Sequence, residues 1–177
     1  MNIPSAVILL SLFALPIIGQ DTGAQKEMSC PMHETHGQHS HDALVESHGD
    51  QAMGFRHDKT THHFRMAVDG GSIEVSAHDP ADATQMKLIR SHLTRIAVSF
   101  GEGDFSTPMF VHDGIPPGVT TMKLMKSDIH YKYEEMPSGA RVRISTDAPI
   151  AVAAIHDFLR FQITDHHTGD SLEVAQQ

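Results

Sequence analysis

The chain has 177 residues, 40% hydrophobic and 20% charged, with 15 His, 10 Met, one Cys and no Trp. That length allows one domain with additional segments, and the formal net charge of −9 argues against a nucleic-acid partner, because phosphate binding needs a basic surface. A single cysteine cannot close a disulfide within the chain, so it is free, metal-bound or paired with another chain.

Residues 1–19 (MNIPSAVILLSLFALPIIG) carry no charged side chain. The apolar run Ala6 to Ile18 has the length of a signal-peptide core and falls short of the roughly 20 residues of a membrane span. A cleaved signal peptide is predicted, with cleavage after Gly19 or Ala24 leaving a small residue at the cut. The mature chain is then periplasmic or secreted, with no membrane contact after cleavage.

Residues 20–56 are polar and rich in His and Met, without sustained apolar periodicity. They are predicted to be disordered until something binds. The string Cys30-Pro31-Met32-His33 resembles the CPMH core of the short heavy-metal-binding segment at the N-termini of some copper and silver transport proteins. The resemblance covers four residues and implies Cys30, Met32 and His33 as a ligand set. Thiolate, thioether and imidazole together favour Cu(I). His36, His39 and His41 follow and add imidazoles that also suit zinc. A segment that orders on binding suits capture, buffering or delivery of an ion better than catalysis.

The folded domain is predicted over residues 57–168. Thr60 to Val68 alternates, Asp69-Gly70-Gly71 is a turn signal and Ser72 to Ala77 alternates again, which predicts a β-hairpin. Asp79 and Pro80 read as the N-cap and first residue of a helix. Met86, Ile89, Leu93, Ile96, Ala97 and Phe100 form its apolar stripe, with His92 at the edge. A connection follows, with an extended piece around Met109-Phe110-Val111, the loop Pro116-Pro117-Gly118 and a short helix over Val119 to Met125. A second hairpin (Asp128 to Glu135, Arg141 to Thr146) and a second helix from Pro149 to about Ile163 complete the domain. Residues 169–177 read as a disordered tail.

The fold class is therefore α+β: a duplicated ββα unit giving a four-stranded antiparallel sheet with two helices on one face. His63-Phe64-Arg65 and His130-Tyr131-Lys132 are counterparts in the two halves. Phe64, Met66, Val68, Ile73, Val75, Tyr131, Tyr133, Val142 and Ile144 are expected to face the helices. His63, Arg65, Glu74, His130, Lys132, Glu134, Arg141 and Arg143 are expected on the open face.

A catalytic metal needs about three protein ligands and an open position. The domain offers His62, His112, His156 and His166, although no spacing selects them. HExxH, GxSxG, a P-loop and CxxCH are all absent from the sequence. The leading expectation is a metal-binding protein for copper, with zinc as the second metal, whose partners are metal ions and a metal transporter or another copy of the chain. Two alternatives stand beside it. One is a metal- or haem-dependent enzyme built on the domain histidines. The other is an interaction domain that dimerises through its open sheet face.

Overall fold

A computed structural model describes residues 32–175, with side chains described from Ser40 onward. The predicted signal peptide and Cys30 lie outside the described residues. Met32, His33, His36 and His39 lie on a described backbone, but their side chains do not. Among the described residues no helix is long and apolar enough to cross a membrane.

The elements run α1 (Met32–Met53), a single 3-10 turn (His57–Lys59), β1 (Thr60–Ala67), β2 (Gly70–Ala77), α2 (Ala83–Gly101), α3 (Ser106–Val111), α4 (Val119–Leu124), β3 (His130–Met136), β4 (Gly139–Ser145) and α5 (Pro149–Asp165). The four strands form one antiparallel sheet in the order β1-β2-β4-β3. Each hairpin is joined by a two-residue turn, and the hairpins meet through β2 and β4, with Ile73 opposite Val142. Helix α2 packs against β2, β3 and β4, and α5 packs against β1 and β2.

Period-two alternation selects the buried side of the sheet. Phe64, Met66, Ile73, Val75, Val142 and Ile144 are buried in one cluster with Ile89, Leu93 and Phe100 of α2 and Ile155, Phe158 and Leu159 of α5. Tyr131 and Tyr133 pack partly buried against it. Val68 departs from the expectation: it stands in the hairpin turn, 58% exposed, because β1 ends at Ala67 and β2 begins one residue after Asp69. Gly71 is required by a close approach. A Cβ there would come within 2.3 Å of both the Arg65 carbonyl oxygen and Leu159 Cδ1. The opposite side of the sheet carries a row of ion pairs: Arg65 with Glu74, Arg141 with Glu134 and Lys132 with Glu134.

Four local expectations are corrected. The cap of α2 is Asp82, whose side chain accepts from the Gln85 N–H. Asp79 instead accepts from the Ala81 N–H within the preceding turn, where Pro80 is accommodated. Met109-Phe110-Val111 is helical, as part of α3.

Residues 169–175 are ordered against β1 rather than forming a free tail. Asp170 accepts from the Phe64 N–H at 2.9 Å and from His63 Nδ1–H at 2.8 Å, and the Ala175 N–H donates to the Met66 carbonyl.

The fourth correction is the largest. Met32–Met53 is a 22-residue helix, not a disordered segment. It docks on α3, with Val45 buried at 3% exposure, through a stripe that is mostly polar. His48 Nδ1–H donates to the Phe110 carbonyl at 2.9 Å and its ring stacks on Phe110. His41 meets Asp165, His167 meets Asp42, and His57 meets Asp50. Imidazole-to-acceptor contacts of this kind leave no trace in hydropathy, which is why the segment reads as unstructured.

Candidate functional site

A cavity of about 330 Å³ lies where helices α1, α2, α3 and α5 and strands β1 and β2 converge. Helix α1 presents Asp42, Val45, Glu46, Gly49 and Met53 to it, positions that share one helical face. Strand β1 contributes His62 and Phe64, two residues apart and so on one side of the strand. Helix α2 contributes His92, Leu93 and Ile96. Thr107, Pro108, Val111 and His112 come from α3 and its end, and Phe158, Gln162 and Asp165 come from successive turns of α5, followed by His166 and His167.

Three imidazoles here are held neutral. Burial, with the neighbouring His92, His57 and His63, lowers His62 to about 4. Burial, with Arg95, lowers His92 to about 4. Burial, with His112 and His62, lowers His166 to about 3, against the opposing pull of Asp165. Uncharged rings suit these surroundings, since a buried unpaired charge is costly. Phe55 stacks on His62 and lies edge-on to His92, while Phe64 stacks on His166. Among the described residues none of these three rings has a hydrogen-bond partner for its nitrogens. Each therefore keeps a lone pair for a ligand.

His112 is fixed in a different way. It is buried, its Nδ1 lies 2.7 Å from Asp165 Oδ2 and its Nε2 lies 3.2 Å from Gln162 Oε1. Its ring centroid is 5.0 Å from that of His166. Asp165 also takes His41 Nε2 at 2.9 Å. Burial alone would raise the Asp165 carboxyl, but the hydrogen bonds from His41 and His112 outweigh it and hold it below the ordinary aspartate value. Gln162, only 4% exposed, keeps its Nε2 without any partner. Buried polar atoms are nearly always paired; Gln85 Nε2 and Tyr131 Oη are also without a partner, but of these three atoms only that of Gln162 belongs to a residue lining the cavity.

Of the predicted site residues, the structure brings His62, His112 and His166 to this cavity, with His41 attached through Asp165. His156 is not among them. Its Nε2 lies 2.9 Å from the Ala67 carbonyl and 3.0 Å from the Gly70 carbonyl, so it fastens α5 to the first hairpin. His92, Asp165, Gln162 and Met53 were not expected at the site. His92 could have been found from its place beside the apolar stripe of α2, and Gln162 from its place on the buried face of α5. Among the described residues no three His, Cys, Asp or Glu side chains stand in a metal-ligating group as placed. Comparison with known proteins finds no matching family model, no matching curated protein and no matching solved structure.

Proposed function

We propose that the protein binds a transition metal, copper first and zinc second, and serves in the periplasm or outside the cell to capture, buffer or deliver the ion. The observation that carries this reading is the set of neutral, unpartnered imidazoles of His62, His92 and His166 on one cavity. Neutral imidazole is a ligand for copper and zinc. As placed the rings do not form a ligand set, so sharing an ion requires them to turn from their packing on Phe55 and Phe64. His112 stands beside them with its ring held between Asp165 and Gln162, so it can add a nitrogen only by giving up the Gln162 contact.

In this reading Cys30, Met32, His33, His36 and His39 take the ion first, and the cavity receives it. His41 links the two, because engaging it with metal means releasing it from Asp165. The partner with which it exchanges the ion is a metal transporter or a second copy of the chain. The scaffold is a duplicated ββα unit with both helices on one face of the sheet. The matched antiparallel meeting of β2 and β4 supports that view, as does the placement of α2 and α5 against the strands.

Titration of the purified chain with Cu(I), Cu(II) and Zn(II) tests the proposal. A submicromolar site is expected, lost in part in a Cys30→Ala/His33→Ala variant and in part in a His62→Ala/His166→Ala variant. Absence of such a site in the wild type, or unchanged binding in both variants, would sink it.

A further inference from the structure

An ion and its imidazoles do not account for the size or the floor of the cavity. At about 330 Å³ it is large for one ion, and more than twice the ~150 Å³ of an engineered apolar cavity that binds benzene. Its floor is hydrocarbon: Ile73, Val75, Leu93, Ile96, Phe100 and Phe158 all line it, and each is at most 8% exposed to solvent. Its rim is polar, with Glu46, Thr61 and His167 exposed at the surface. Protein interiors are otherwise close-packed, with few voids larger than a water molecule. A cleft with an apolar floor and a few convergent polar groups is the usual form of a small-molecule site.

We propose that this cavity binds a small, uncharged, largely apolar organic molecule, seated on the floor and hydrogen-bonded through one polar group to the unpartnered amide of Gln162. Three observations define the ligand. The buried amide end of Gln162 has no partner, so the ligand carries one group that can pair with it. The floor is hydrocarbon and Asp165 beside it is already engaged by His41 and His112. The floor itself therefore offers no countercharge to a charged ligand, and burying an unpaired charge is costly. The volume lies at the lower end of the range for small-molecule pockets, which fits one or two fused rings rather than a long chain. This goes beyond metal binding and does not depend on it.

1-Naphthol is a suitable probe, with naphthalene and 1-naphthalenesulfonate as comparisons. The chain has no Trp, so naphthyl fluorescence is read without tryptophan background. Titration of the full chain, in chelator and again with copper added, is expected to show saturable 1-naphthol binding at one molecule per chain. Naphthalene should bind several-fold more weakly and the sulfonate at least tenfold more weakly. Val75→Phe, which fills the floor, should cut 1-naphthol binding at least tenfold. Gln162→Leu should abolish the preference for naphthol over naphthalene while leaving naphthalene binding in place. That retained binding also shows that the Gln162→Leu variant is folded. The proposal is overturned if 1-naphthol does not saturate on the wild type, if the sulfonate binds equally well, or if neither substitution changes binding. Naphthol binding without a copper site would leave this inference standing and remove the metal reading. A copper site without naphthol binding would do the reverse.

Discussion

His112 Nδ1 lies 2.7 Å from Asp165 Oδ2, tying the end of α3 to the end of α5 on one wall of the cavity. The other oxygen of the same carboxylate accepts from His41 on α1. One side chain thus joins three elements. An Asp165→Asn change leaves an amide N–H₂ facing one of the two imidazoles. Urea unfolding at pH 7 should show a loss of about 2 kcal/mol, the usual cost of breaking a partly buried charge-assisted bond. The Asp165 carboxyl sits below its ordinary value of 3.8 when folded. Its contribution is therefore complete above that pH and fades as pH falls through the folded value. The gap between wild type and variant should close in strong acid.

The three neutral imidazoles set a separate acid limit. In the unfolded chain they titrate near 6.5, and in the folded chain His62 and His92 titrate at about 4 and His166 at about 3. Between those limits the unfolded state binds more protons, so stability rises with pH across that window and is lost as pH drops from 6.5 toward 4. The melting temperature should fall by on the order of 5–10 °C between pH 7 and pH 5. A His62→Phe/His92→Phe variant should flatten that fall, and an equally steep profile in the variant would show that these rings are not its cause.

His156 is engaged differently from the histidines that line the cavity. Its ring N–H is shared by the Ala67 and Gly70 carbonyls. His156→Leu should cost about 1–3 kcal/mol in chemical denaturation, since two buried acceptors lose their donor. Copper affinity should stay within twofold of wild type, and a large loss would place His156 at the metal.

Gly71→Ala should be more damaging than its single methyl suggests. The new carbon would meet the Arg65 carbonyl and Leu159 at 2.3 Å, and neither a paired strand nor a packed α5 can step aside without cost. A loss of about 2–4 kcal/mol is expected, measured as a lower urea midpoint. Gly54→Ala is the comparison for free space, because nothing lies near that position. There only the left-handed backbone angle of 78° opposes the change.

The two hairpins and long helices were legible because their signals are local. Alternation in Phe64, Met66 and Ile73, Val75 marks the strands, and the spacing of Ile89, Leu93 and Ile96 marks α2. The docked α1 was not legible, because His41, His48 and Asp42 bind through polar contacts with residues more than sixty positions away. The cavity was half legible. His62, His112 and His166 could be suspected as metal donors, but their convergence depends on tertiary packing. His92 and Gln162 look like ordinary members of helix faces until the opposite wall is in place. His156 shows the converse error: a ligand type in the right domain, spent on a hairpin.

The sheet order β1-β2-β4-β3 places α2, which follows the first hairpin in the chain, against both strands of the second, while α5 returns to the first hairpin. Each hairpin thus depends on a helix supplied by the other half. A chain cut in the loop around Pro116 should give two fragments that are each unstable alone and that recover a folded domain only when mixed. The same exchange could take place between two intact chains whose connecting loops open, so the arrangement that closes this fold also offers it a route to a swapped dimer.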